Sequence, residues 1–201
     1  MSRKLVCGVG VSEAGDFART YRTTSGSKKN TREYELWRGL LRRCYAEEYL
    51  NDWPSYKGCT TSSEFNNFQY FARWCQNQIG FQLPNRHLDK DLVGDGKTYS
   101  ENSCVFLPAL INTMLTNSKK ARGKYPVGVH WCNTKNVFVA QCQVGNGQQD
   151  FIGYFSNPKD AFLEYKNFKE ARIKRLADQF RNEIDPRAYE ALMAYKITME
   201  D

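Results

Sequence analysis

The stretch that most constrains this chain is 126–182. Three short runs alternate apolar and polar residues: PVGVHW, VFVAQCQV and DFIGYF, with NGQQ as a turn before the last. A period of two sends successive side chains to opposite faces, so each run reads as a strand. Asn157 and Pro158 then make a helix start, with asparagine as cap, proline in the first turn and Asp160 at the third helical position. This helix is predicted to reach about residue 182, and Pro186 separates a last short helix within 183–201. Strands followed by a helix make this part an α+β lobe.

Upstream, the periodicity is mostly helical. Leu5 to Val11 reads as one short strand, followed by a polar loop, TTSGSKKNT. The glycines at 8, 10 and 15 miss the GxGxxG spacing, which argues against a cofactor loop. Over 32–48, Trp37, Leu40, Leu41, Cys44 and Tyr45 recur at helical spacing, with Arg38, Arg42 and Arg43 largely off the stripe. A loop over 51–63 leads to a second helix over 64–78, with Phe65, Phe68, Phe71, Ala72 and Cys75 on one side. These two helices form an aromatic layer, which at this spacing suits core before a base-stacking platform.

Between the lobes, 117–125 reads as a basic linker carrying Lys119, Lys120, Arg122 and Lys124 and no acid. The expected division is 1–116, the linker, 126–182 and a C-terminal helix in 183–201. The net charge of +7 favours polyanions through attraction and counterion release. Seven scattered cysteines with no CxxC pair, and only two histidines, do not supply a zinc site. No apolar run is long enough to span a membrane and the N-terminus lacks a signal-peptide stretch, so a soluble cytoplasmic protein is expected.

One constellation carries possible chemistry. His87, Asp89, Lys90 and Asp91 sit in a predicted strand before a glycine turn, Asn102 follows, and Asn112 lies on a helix opened by Pro108. Strand, turn, strand and helix with inward Asp and Asn can hold a hard divalent cation through oxygen. Such a cation would stabilise a leaving phosphodiester oxygen. An exposed, charged turn edge is the other reading of Asp89-Lys90-Asp91.

The stretch LDKDLVGDGKTYSENSCVFLPALIN resembles the ββα-metal core of HNH homing endonucleases. The resemblance implies Mg²⁺ or Mn²⁺ at Asp89 and Asn112, with Glu101-Asn102 matching a Glu-Asn step and Asn102 in the catalytic set. Asn112 falls one residue beyond the usual separation. Lys90 stands where that family places its general-base histidine, and a lysine of ordinary pKa cannot take a proton from water. Three readings follow: an inactive descendant, another base such as His87, or a lysine of strongly lowered pKa. On an alternating strand His87 shares a face with Asp89 and Asp91, while Lys90 faces away. LWRGLLRRCY, PSYKGCTTSSEF, FQYFARW and HLDKDLV are similar to stretches of a tailed-phage group of HNH-type proteins, which implies the cytoplasm of an infected bacterial host.

The stretch 126–171 resembles an AP2/ERF-type DNA-binding domain, carried by Gly128-Val129, Phe138 with Ala140, Ile152-Gly153 with Phe155, and Ala161 and Tyr165. That family packs a helix behind a three-stranded sheet and lays the other sheet face in the major groove of double-stranded DNA. The resemblance implies contacts from His130, Trp131, Lys135, Gln141 and Gln143, the two carboxamides being suited to adenine edges. Phosphate attraction from Lys119, Lys120 and Arg122 of the linker, and from Lys166, Lys169, Arg172, Lys174 and Arg175, would add to them.

The expected protein is therefore an α+β DNA-binding endonuclease, with the AP2-like lobe choosing the target and the ββα core hydrolysing it. The alternatives are a DNA-binding regulator that lost the chemistry, and an adaptor that docks through its N-terminal helical layer.

Overall fold

The computed structural model describes residues 5–116, 123–145 and 147–199. The chain divides into two compact units, Met1–Phe106 and Leu107–Asp201, and mixes helix with strand in an α+β architecture.

The first unit opens on a reversal rather than the single strand expected over Leu5–Val11. Cys7 and Gly8 take the left-handed region, at φ +49° and +79°, and fold Val6 back to bridge Gly10. The expected loop over 23–31 is a hairpin turn with a strand at its end. β1 (Thr20–Arg22) pairs antiparallel with β2 (Lys28–Asn30), because Lys28, Lys29 and Asn30 continue the ladder past the Ser-Gly turn. Then come α1 (Arg32–Tyr45), α2 (Glu47–Asp52), β3 (Thr60–Thr61) and α3 (Phe68–Gln76).

The helix expected from 64 is split. Glu64–Asn66 is a single 3-10 turn, and α3 starts afresh because the Asn67 carboxamide accepts the amides of Gln69 and Tyr70. Last in this unit come β4 (Arg86–Asp89), β5 (Thr98–Tyr99), which runs parallel to β3, and the start of β6 (Val105–Pro108).

The aromatic layer is the core of this unit. Trp37, Leu40, Leu41, Phe65, Phe68, Phe71, Phe81 and Phe106 are fully or almost fully buried. Trp37 lies 5.6 Å from Phe68 and Phe65 lies 4.9 Å from Trp74, ring centre to ring centre. The Trp37 indole N–H donates to the Phe65 carbonyl at 2.8 Å, so its polar edge is satisfied. The stripes are thus core rather than a base-stacking platform. Removing one such ring typically costs about 3–5 kcal/mol.

The second unit takes in the end of β6 and α4 (Ala109–Leu115), so the division comes before the expected boundary at 116. The reason is packing: α4 lies against the sheet of this unit, and Leu110 fills the space above Gly145. β7 (Val129–Cys132), β8 (Val137–Gly145) and β9 (Gln148–Phe155) form an antiparallel meander in the order β7-β8-β9.

Asn157 caps α5 (Pro158–Gln179) through the Asp160 amide, and α5 packs on all three strands with Ala161, Phe162, Tyr165 and Ile173 buried. α6 (Pro186–Ala194), capped by Asp185, packs on α5. No helix among the described residues is long and apolar enough to cross a membrane.

Candidate functional site

The ladder register assigns each residue of the sheet to a face. His130, Val139 and Tyr154 stand opposite one another in one row, and Trp131, Phe138 and Phe155 in the next. Neighbouring rows face opposite ways. His130 and Trp131, expected together at DNA, therefore point to opposite faces. Trp131 packs on Phe138 at 4.8 Å and Phe138 on Tyr125 at 5.1 Å, a cluster that closes one end of the sheet.

Between Ala140 and Gln141 the register slips. Gly153 faces Ala140 and Phe151 faces Gln141, leaving Ile152 as the extra residue of a β-bulge. Beyond it, Cys142 is buried opposite Asp150, whose carboxylate reaches Arg172 of α5 at 3.8 Å. This is the helix-covered face. Gln141 and Gln143 lie on the other one, opposite Phe151 and Gln149.

The outer face thus carries His130, Cys132, Val137, Val139, Gln141, Gln143, Gln149, Phe151 and Tyr154. Val139 is buried, Cys132, Val137 and Gln141 are half-buried, and the others are exposed. The bulge brings Phe151 and Tyr154, three positions apart, onto the same side, with ring centres 4.8 Å apart. Phe151 is 57% exposed and Tyr154 49%. Lys135, in the turn between β7 and β8, donates to the Tyr154 hydroxyl at 2.7 Å and lies 4.1 Å from its ring centre. A cleft of about 430 Å³ borders Gln141, Gln143 and Gln149 where β8 runs past the end of β7.

Sequence reading picked out His130, Lys135, Gln141 and Gln143 but missed Phe151, Tyr154 and Gln149. A glycine inside a strand run is a bulge signal, and Gly153 carried it.

The cations of α5 divide. Lys166 donates to Glu170 at 2.6 Å and to the Ile197 carbonyl at 2.5 Å, Lys169 is 4% exposed, and Arg172 pairs with Asp150. These three belong to the unit's own packing rather than to the expected phosphate-facing surface, because α5 is covered by the sheet and by the chain around Ile197. Lys174 is half-buried and Arg175 is exposed. Lys119, Lys120 and Arg122 lie outside the described residues.

In the first unit, β4 ends at Asp89, so the alternation expected to carry Asp91 onto the face of His87 stops there. The Asp89 Oδ1 accepts the amides of Asp91 at 3.0 Å and Leu92 at 2.8 Å, turning the chain. Asp89 is buried, and burial pushes its carboxyl above the ordinary aspartate value against the pull of those amides.

Lys90 is also buried. Its ammonium donates to Asp91 Oδ1 at 2.5 Å and to the Gly96 carbonyl at 2.7 Å, and lies 5.5 Å from the Tyr99 ring centre. Gly96 takes φ +72°, a conformation that costs a residue with a side chain more than it costs glycine. The Tyr99 hydroxyl accepts from Arg43 Nε at 2.9 Å, so Arg43 is turned inward instead of offered to solvent.

His87 is exposed on β4, Tyr70 donates to Glu101 at 2.6 Å, and Asn102 sits exposed in the turn before β6. Asn112 lies half-buried on α4, in the second unit.

The segment is a poor fit to a hard divalent cation. Its best acid is buried and has one oxygen engaged by two amides, whereas such ions take ionised, accessible oxygens. Among the described residues, no group of three or more His, Cys, Asp or Glu is placed to hold a metal. No protein-family model matches this chain, and comparisons with curated proteins and with solved structures find no match.

Proposed function

We propose that this protein binds double-stranded DNA through the outer face of β7, β8 and β9, in the manner its resemblance to AP2/ERF-type domains implies. The observation that carries the reading is a sheet with one face covered by α5 and the other carrying an imidazole and carboxamides beside Phe151 and Tyr154, with Lys135 in the adjoining turn. A two-stranded ribbon or the edge of such a sheet is narrow enough to enter the major groove, and carboxamides there can pair with both the donor and the acceptor of adenine. Lys135 supplies a phosphate contact, and the net charge of +7 supplies long-range attraction. On this reading the HNH-like stretch serves as a folded turn and the protein acts as a DNA-binding regulator of the kind left by a retired nuclease.

The test is selection of tight-binding sites from a randomised duplex pool at fixed salt, followed by titration of the selected site. Replacing Gln141 and Gln143 with alanine is expected to weaken the selected site more than a random one. Lys135→Ala is expected to weaken both alike and to reduce the salt dependence. Failure of the intact protein to hold any duplex at low salt would sink the reading.

DNA cleavage is the second reading. The observation in its favour is the exposed His87, two residues before Asp89 on β4 and so on the same face of the strand. Supercoiled plasmid incubated with Mg²⁺ or Mn²⁺ decides it. Nicking that is abolished by EDTA and by Asp89→Ala establishes an endonuclease, and intact plasmid removes the reading for that substrate.

A further inference from the structure

We propose that Phe151 and Tyr154 form a stacking platform that makes the protein favour a duplex with one extrahelical base over a fully paired one. The inference rests on the DNA-binding reading and names its substrate class. Two neighbouring aromatic rings, each about half exposed, stand on the edge strand β9 beside the buried Val139 and a row of carboxamides, Gln141, Gln143 and Gln149. Their placement together is built into the backbone, since the bulge at Ile152 is what puts both on that side.

The two rings are not equivalent. Lys135 sits over Tyr154 and holds its hydroxyl, so Tyr154 is fixed as a support. Phe151 leans on it at 59° and is the more exposed of the pair. A ring so placed offers a flat π-face, and the chemical partner of a π-face is a base face.

An intact duplex hides its base faces in the stack and shows only edges in the grooves. To reach a base face, the protein must unstack a step, and the cost is least where the base is already unpaired. The surroundings suit a nucleotide. Gln141 stands opposite Phe151, where its carboxamide can reach the edge of a stacked base. The Lys135 ammonium at the rim carries the charge that a flanking phosphate requires.

The full chain is titrated, by fluorescence anisotropy at one salt concentration, into three labelled probes: a paired duplex, the same duplex with one bulged adenine, and its single strand. The bulged duplex is expected to bind about ten-fold more tightly than the paired one, the scale of one base–aromatic stack. Phe151→Ala is expected to bind the two duplexes alike, and Phe151→Trp to keep the preference. Phe151 is exposed, so its truncation leaves the core intact, and circular dichroism verifies the fold of each variant.

Equal affinity of the wild-type chain for both duplexes overturns the inference and leaves the DNA-binding reading standing. So does a preference that survives in Phe151→Ala. Tightest binding of the single strand also overturns it, because the occupant is then an unpaired strand. Binding of none of the three overturns both readings together.

Discussion

The ammonium of Lys90 lies 2.5 Å from the Asp91 carboxylate, and the two residues are unequal partners: the Lys90 side chain is 6% exposed and that of Asp91 64%. The buried partner has more to lose. Lys90→Met keeps the apolar stem and removes the ammonium, leaving the Gly96 carbonyl without that donor. Urea unfolding is expected to show a loss of roughly 1–3 kcal/mol, the scale of an orphaned buried hydrogen-bonding group. Asp91→Asn keeps an oxygen for the ammonium but removes the counter-charge of a buried cation, so it is expected to cost about 1–3 kcal/mol, more than an exposed ion pair would. Equal stability of Lys90→Met and wild type would mean the ammonium is not what closes this loop.

The split between His130 and Trp131 yields a second prediction. Trp131 packs on Phe138 on the face opposite His130, so its truncation is expected to act through stability. Trp131→Ala should lower stability by about 2–4 kcal/mol, less than a fully buried tryptophan would. His130→Ala should change stability by no more than about 0.5 kcal/mol while weakening binding to duplex DNA. Thermal denaturation and titration of one duplex separate the two effects. A Trp131→Ala protein of native stability that binds poorly would place that ring at the DNA.

How far the sequence was legible follows from where local pattern decides. The three strands and the Asn157-capped helix are local in origin, and they fold where the alternation and the cap put them. The aromatic stripes of α1 and α3 are likewise core, as helical spacing implied. Facing was less legible. Simple alternation puts Phe151 and Tyr154 on opposite sides, and only the pairing with β8 reveals the bulge that unites them. At Asp89-Lys90-Asp91 the alternation ends because a side chain takes over the turning of the chain, which no periodicity records. The inward turn of Lys166 and Arg172 depends on the distant Ile197 and Asp150. Charge counting had no access to those partners.

Cys132 offers a chemical probe of the outer face. It follows His130 by two residues on β7, so it shares that face, and its Sγ lies 3.2 Å from the Thr134 hydroxyl. That hydroxyl and the nearby amides hold its thiol below the ordinary cysteine value, whereas burial pushes Cys44 up to about 12 and Cys104 to about 12. Since the thiolate is the nucleophile, limited iodoacetamide should modify Cys132 well before Cys44 or Cys104. The rate should rise with pH through a midpoint below that of a free thiol. Mass spectrometry of the digested protein gives the order of labelling. On the proposed function, saturating duplex DNA should slow labelling at Cys132; an unchanged rate would move the interface off this end of the sheet.

Glu170 should set the acid limit of the second unit. Its burial alone would raise the carboxyl's pKa, but Lys166, the Ile197 amide and Lys196 together outweigh that and hold it at about 2. A carboxyl depressed in the folded state binds its proton more readily when unfolded. Its contribution is therefore complete above the ordinary glutamate range near pH 4.5 and lost as pH falls from there toward 2. The depression corresponds to about 3 kcal/mol lost across that window. Glu170→Gln keeps an oxygen for the Ile197 amide but cannot titrate, so it should be less stable than wild type at pH 7 and show a flatter acid limb. Urea midpoints measured from pH 6 to pH 2.5 provide the comparison. Parallel acid limbs in the two proteins would show that other carboxylates govern the acid loss and that Glu170 does not fasten the chain at Ile197 to α5.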